Sequence, residues 1–540
     1  MISLLLALAA APAFAADASL LKNRPDSALI DEVVELQPVA GHHFNVEAPQ
    51  KCGGERALEV VPRRVRCQMK RAGAVPVLVS VCDDALTFCR QERFDIDVRG
   101  AARAAAKTSP MAAAPKGGHP APAGFLDNVP AEAQARAKKE GKLLLIDFYG
   151  IWCPPCNDLE EHAYPAPQFR AASENFVKIA LDADAPVSFD WKSRFKVGGY
   201  PTLIVADPEL REIARVVGYR SGPALAKILK EASANRSEPV EAAARLVAKG
   251  GADATEARRL RVAQWRADRG ELEKAEALLA GLTSAPARKA RLAARRERAR
   301  LQDDAAAGLA ALKELVKSFP DDVDYSDWAS ALADADADAA KALKDDLRRS
   351  VERWTAEPSL GEAGYDPGDL LYNWASFLDA IGSTEAAKAV WLRVADAYAA
   401  QAAKSPLAVP RAANFGRGEA LMKAGRTAEA KTLYETLVKA YPQEFTFNYD
   451  YATQLSDAGE IAAAYPYAVK AAETGYGDNW LRAVRLKASL ELKLGRIDQA
   501  AKTVDEALAQ AVPPKSSAVR TYRYLAALRA LRREISAKKS

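Results

Sequence analysis

The sequence predicts a multidomain protein: a β-rich N-terminal domain, a compact α/β domain and an all-α solenoid. Three observations carry this. At 540 residues the chain exceeds what one hydrophobic core organises. Short alternating apolar runs dominate before residue 100 and vanish after about 236. Between them, strand and helix patterns alternate over about 110 residues, as a compact α/β unit requires.

The chain opens with MISLLLALAAAPAFAADASL, in which residues 2–11 are almost wholly apolar and Ala13-Phe14-Ala15 makes an A-x-A site. Residues 1–16 are read as a signal peptide cleaved near Ala15 or Ala16, although no Lys or Arg precedes the apolar run. The alternative is an uncleaved anchor, for which the apolar run is short against the ~20 residues a span needs. The expectation is an exported protein, in a periplasm or secreted, where disulfides persist.

Residues 17–100 are assigned to the β-rich domain on runs such as VPVLVSV and RFDIDV. Residues 101–123, rich in Ala, Pro and Gly, lack the large apolar side chains of a core and are expected to be a semi-flexible linker. Residues 124–235 form the α/β domain, with helix patterns at VPAEAQARAKKEGK and GPALAKILKEAS and strand patterns at LLLIDFY, NFVKIALDAD and TLIVADP. Residues 236–540 are read as helical. Segments around Gly425, Gly459 and Gly495 align with one another, the glycines falling 34 and 36 residues apart, with an earlier unit at Gly382 and a weaker one at Gly270. These units resemble the tetratricopeptide repeat, which implies stacked helix pairs with a concave surface for peptide or protein partners.

Charge does not imply a general affinity for nucleic acid, and none is expected: 76 basic against 71 acidic side chains give +5. The basic stretch RKARLAARRERAR is read as a solvated helical face, the alternative being contact with an acidic partner or lipid headgroups.

Only six cysteines occur, two of them three positions apart in LLLIDFYGIWCPPC. A bridge across two intervening residues restricts the unfolded chain little, so Cys153 and Cys156 make a poor staple. Zinc wants a second ligand pair, and four histidines (His42, His43, His119, His162) with one C-x-x-C do not supply it, so no metal is expected. Redox chemistry remains. The pair sits where a buried strand turns into a helix, and a helix N-terminus favours thiolate over thiol. No cofactor beyond that redox-active pair is called for.

Trp152-Cys153-Pro154-Pro155-Cys156, with Tyr200-Pro201-Thr202 about 45 residues later, resembles the thioredoxin superfamily. The stretch DFYGIWCPPCNDLEEHAYPAPQF is similar to the C-terminal domain of DsbD-type thiol:disulfide interchange proteins. The resemblance implies a thiol:disulfide oxidoreductase acting on protein disulfides. Cys153 is then an exposed nucleophile, Cys156 a more buried resolving thiol, and Asp147 a buried acid that accepts the Cys156 proton, with Lys178 near it. Trp152 shields the sulfurs, and Pro201, in cis, keeps a backbone N–H away from the client strand. Asn157 replaces a common Lys, which implies altered surface electrostatics. Pro154 and Pro155 carry no N–H to give the Cys153 sulfur, leaving Cys156 N–H as the main local donor. This argues for a reductase, with a Cys153 pKa nearer ~7 than the ~3.5 of strong oxidants.

Cys52, Cys67, Cys82 and Cys89 allow three pairings, with two structural disulfides as the plain reading. VSVCDDALTFCRQERFDIDV resembles the immunoglobulin-like N-terminal domain of the DsbD type, which implies a redox-active Cys82–Cys89 and a structural Cys52–Cys67. With no membrane domain between the two soluble ends, that resemblance implies a separate membrane thiol donor of the DsbD type. Two other functions stay open: a scaffold whose repeats bind proteins, and a disulfide oxidase or isomerase.

Overall fold

The computed structural model describes residues 19–30, 32–84, 88–99, 109–112, 119, 121–302, 304–357, 359–512 and 519–539. The signal peptide expected over 1–16 lies outside them. The described residues fall into two compact units, one within residues 1–101 and one from 102 onward.

The first unit is sheet-rich. Its larger sheet runs Ser27–Leu29, Cys89–Arg99, Gly73–Asp83, Lys51–Cys52, Glu55–Arg56, with His42–Phe44 also paired to Gly73–Asp83. Its smaller sheet runs Val33–Leu36, Arg64–Gln68, Glu59–Val61. Alternation sets the core: Val75, Val77, Val79 and Val81 from one long strand and Phe94, Ile96 and Val98 from the next pack with Val34, Leu36 and Val65 of the smaller sheet. Cys52 pairs with Cys67, joining the two sheets inside this core. Cys82 pairs with Cys89 directly across the end of the long hairpin.

In the second unit, residues 126–217 build a five-stranded sheet in the order Leu126–Asp127, Phe176–Asp182, Leu143–Tyr149, Thr202–Ala206, Glu212–Val217. The first two junctions are parallel and the last two antiparallel. Leu143–Tyr149 is buried on both faces, which is why it reads as an unbroken apolar run. Leu143 and Leu145 face a core with Phe169, Leu225 and Leu229, while Leu144, Ile146 and Phe148 face one with Ala133, Trp191 and Phe195. The edge strand Glu212–Val217 escapes the sequence reading because EIARVV mixes charge with β-branched residues.

From Val240 onward the described residues are helical. Four antiparallel pairs follow one another: Pro367–Ala380 with Thr384–Ala402, Ala412–Lys423 with Thr427–Ala440, Phe445–Asp457 with Ile461–Thr474, and Gly477–Lys493 with Ile497–Gln510. The same closure ends the first helix of all four: in the first pair Gly382 takes φ of +78° and Ser383 N–H reaches the Leu378 carbonyl at 2.8 Å. Gly425, Gly459 and Gly495 take φ of +81°, +80° and +74°. The N–H of the next residue reaches back to a carbonyl five residues earlier: Arg426 to Leu421 at 2.8 Å, Glu460 to Leu455 at 2.8 Å, Arg496 to Glu491 at 2.9 Å. A left-handed residue is needed for that bond, and glycine adopts it without a Cβ penalty.

Two expectations change. The basic face on Ala285–Leu301 is not simply solvated: Lys289 pairs with Asp322 and Asp324, Arg296 with Asp327 and Arg298 with Glu276. Described residues of the 101–123 segment do not stand off in solvent either. Ser109 Oγ donates to the Gln510 carbonyl at 2.6 Å, Met111 is buried, and His119 bonds Glu160 at 2.7 Å. These small and polar side chains gain their contacts from the helical array, which the segment's own composition does not reveal.

Candidate active site

The buried strand Leu143–Tyr149 delivers the chain to Gly150-Ile151-Trp152, where the helix Pro154–Asp158 begins. Cys153 precedes that helix in extended conformation, and its sulfur is bonded to Cys156 one turn on. The Cys153 carbonyl accepts from Cys156 N–H at 3.0 Å, Asn157 N–H at 3.1 Å and Asn157 Nδ2 at 3.0 Å. Two sequence expectations are corrected by this arrangement. Cys156 N–H is engaged by the Cys153 carbonyl, the bond that closes the helical turn. Asn157 is buried rather than on the surface, and it also donates to the Ile151 carbonyl at 3.1 Å, tying the motif loop to its helix.

Asp147 is 1% exposed. Its Oδ2 accepts from the Tyr164 hydroxyl at 2.7 Å, and its Oδ1 is buried without a hydrogen-bond partner. Burial pushes the carboxyl up to about 7, Tyr164 opposing and the Glu160 charge adding to the shift. The basic neighbour expected of Asp147 lies elsewhere: Lys178 Nζ is 3.4 Å from Ser173 Oγ and sits over the Phe125 ring, where burial lowers its pKa. Tyr164 is the hydrogen-bonding neighbour of Asp147 that sequence reasoning missed. Its signal was an aromatic one turn beyond the motif helix, without anything to tie its hydroxyl to position 147.

Trp152 Nε1 donates to Asp184 Oδ2 at 2.7 Å, and its indole meets the Tyr200 ring edge-on at 5.7 Å. Gly150 makes room for that indole, which a Cβ there would approach to 2.7 Å. The Tyr200–Pro201 peptide is cis. Tyr200 and Trp152 pack in the apolar cluster that holds both cysteines.

The helical array closes over this cluster. Phe445, Ala471, Tyr476 and Ala483 pack with Cys153 and Cys156. Polar contacts fix the cover: Gln401 Nε2 donates to Asp158 Oδ1 at 2.8 Å, and the N–H groups of Arg411 and Ala412 donate to Glu161 Oε1 at 2.9 and 3.0 Å. The Tyr476 hydroxyl donates to Asp182 Oδ2 at 2.5 Å, and Asn479 to Asp184. Burial and the neighbouring Asp184 charge push Asp182 up to about 7. Cys153 is consequently 3% exposed and Cys156 2%. The expectation of an exposed Cys153 is therefore corrected, because the repeats lie across the motif. A cavity of about 780 Å³ opens beside it, walled by Trp152, Pro154 and Pro155 on one side and by the first helices of the repeats on the other.

The remaining cysteines lie in the other unit. Cys52 and Cys67 are buried; Cys82 is buried and its partner Cys89 exposed. Among the described residues, no cluster of His, Cys, Asp and Glu is placed to hold a metal ion, and no helix is long and apolar enough to cross a membrane.

Residues 130–233 match the family model of a thioredoxin-like domain, and residues 412–444 that of a tetratricopeptide repeat. The chain is 33% identical over 97 residues to the thiol:disulfide interchange protein DsbD of Cronobacter sakazakii, covering 17% of this chain and 17% of the relative. It is 36% identical over 80 residues to thiol:disulfide interchange protein DsbD 2 of Pseudomonas aeruginosa, covering 14% of each. It is also 30% identical over 105 residues to protein disulfide-isomerase 2-3 of Arabidopsis thaliana, covering 19% of this chain and 22% of that one. The chain thus spans less than a quarter of the length of these relatives. Residues 130–233 are a thioredoxin-like domain, carried in a chain whose helical half contains a tetratricopeptide repeat.

Proposed function

We propose that the chain is an exported, periplasmic thiol:disulfide oxidoreductase that reduces protein disulfides through Cys153 and Cys156, with its helical repeats recruiting the client. The observation that carries this reading is the Cys153–Cys156 bond at a strand–helix junction, six residues after a buried carboxyl with one unpartnered oxygen.

In the reduced protein, Cys153 thiolate attacks one sulfur of a client disulfide, forming a mixed disulfide and releasing the other client sulfur as thiolate. Asp147 takes the proton of Cys156, whose thiolate then attacks Cys153 Sγ. The Cys153–Cys156 bond forms, the second client thiol leaves, and two electrons have passed to the client. A protein dithiol must then restore the pair, and a membrane thiol donor similar to DsbD supplies that chemistry. Cys82–Cys89, with one sulfur-bearing residue exposed, is a second candidate redox pair, while buried Cys52–Cys67 is structural.

The burial of Cys153 favours a second reading, in which the repeats form a scaffold and the thioredoxin-like domain only binds. An insulin- or peptide-disulfide reduction assay separates them: Cys153→Ser abolishes turnover in the first case and leaves it unchanged in the second. A redox titration placing the pair near the strong oxidants, around −120 mV, would instead assign an oxidase.

A further inference from the structure

The cavity beside the motif has an uneven charge. Six carboxylates line it, Asp158, Asp324, Asp327, Asp369, Glu419 and Asp450, against the guanidinium groups of Arg220 and Arg482. Asp324 and Asp327 are answered from outside by Lys289 and Arg296. The other four have no Lys or Arg within ion-pair distance among the described residues. Asp158 is met by the Gln401 amide, Asp369 by the Tyr398 hydroxyl at 3.2 Å, and Glu419 by the Tyr372 hydroxyl at 3.0 Å. The two arginines relieve them only in part: Arg220 donates to the Tyr219 carbonyl, and Arg482, stacked on the Tyr449 ring at 4.0 Å, offsets some of the burial of Asp450 without pairing with it.

Burial pushes Asp158 and Asp369 above the usual carboxylate range and Asp450 up to about 7. Half-buried carboxylates gathered around one cavity with little counter-charge raise one another's cost of ionisation, and a cation entering among them lowers it. The walls suit such a guest, since tyrosines line them and one, Tyr449, already holds the Arg482 guanidinium over its ring. A separate feature also points inward. Thr446, 2% exposed, lines the same cavity, and its hydroxyl has no hydrogen-bond partner. A volume of about 780 Å³ exceeds one side chain, so the guest is a segment, not a lone ion. The wall opposite the repeats is Trp152, Pro154 and Pro155, the residues that flank Cys153, so a chain held here lies beside the buried disulfide.

We propose that this cavity docks an arginine- or lysine-bearing segment of the client polypeptide, presenting the cysteine next to that segment to the Cys153–Cys156 pair. The word client rests on the redox reading above; the cation preference does not.

The test uses the full chain and two synthetic peptides, each closed by a disulfide. One carries two arginines beside a cysteine, and the other carries citrulline at both positions, alike in shape and uncharged. Fluorescence anisotropy with the oxidised protein should give the arginine peptide about tenfold tighter binding at low salt. In the Glu419→Gln/Asp450→Asn double variant that preference should fall to about threefold or less. Equal affinity of the two peptides for the wild-type protein overturns the proposal without recourse to any variant. So does a preference that survives in a folded double variant. If the preference holds while neither peptide is reduced by the dithiol protein, the cation site stands and the oxidoreductase reading falls.

Discussion

The Tyr164 hydroxyl donates to Asp147 Oδ2 at 2.7 Å, so one oxygen of a fully buried carboxyl is occupied and the other is left open. Tyr164 stabilises the ionised form, while burial, the larger effect, holds the group up at about 7.

The resolving step should therefore quicken as pH rises through about 7, where Asp147 becomes able to accept a proton. Asp147→Asn should slow client reduction by on the order of 10²-fold. Tyr164→Phe removes a bond to the carboxylate, so the midpoint of the pH–rate profile should move to higher pH. The stability sign is opposite in character. The folded pKa is raised above the ordinary 3.8, so the contribution of Asp147 is complete below that value and is lost as pH rises through about 7. Asp147→Asn should raise the melting temperature at pH 8.5 relative to wild type more than at pH 4. A pH–rate profile that neither variant alters removes Asp147 from the chemistry.

Asn479 and Trp152 both donate to Asp184, one from the array and one from the motif. Asn479→Ala leaves the Trp152 bond and deletes the array's. Loss of a hydrogen bond to a carboxylate, about 1.5–3 kcal/mol, should favour the opened cover and raise the alkylation rate of Cys153 in the reduced protein by about tenfold or more. Mass spectrometry of iodoacetamide-labelled protein reads this directly. An unchanged rate would mean that the cover opens without breaking this contact.

Gly425 and Gly308 make opposite forecasts for the same substitution. Gly425 has φ +81°, so Gly425→Ala should cost about 1–2 kcal/mol although its Cβ would meet nothing. Gly308 lies inside the helix Ala305–Ser318, where a Cβ would meet Ala299 Cβ at an ordinary 3.7 Å. Gly308→Ala should stabilise by about 0.5–1 kcal/mol. Urea unfolding of the two variants should separate them in sign.

What the sequence made legible was whatever repeats or is local. The run LLLIDFY is apolar at every position because both faces of its strand are covered, and the glycines recur because each turn needs the same backbone. The cysteines at 153 and 156 fall where a strand becomes a helix, and the sequence shows that too. What it concealed depends on distant partners. Asn157 looks like a surface replacement until the Ile151 and Cys153 carbonyls close around it. Nothing near Cys153 announces that Phe445 and Ala483, some three hundred residues on, will lie against it. Lys178 and Tyr164 show the same limit: spacing suggested a basic partner for Asp147, and the fold supplied a phenol.

Glu161 takes both N–H groups that open the helix Ala412–Lys423, and Asp158 is held by Gln401. A fragment ending at residue 235 would strip those acceptors of their donors and bring Ile151, Cys153 and Trp152 into water together. Such an excised domain would react faster and with less discrimination than its parent. Kinetics gathered on it would describe a reagent that the intact chain keeps under guard.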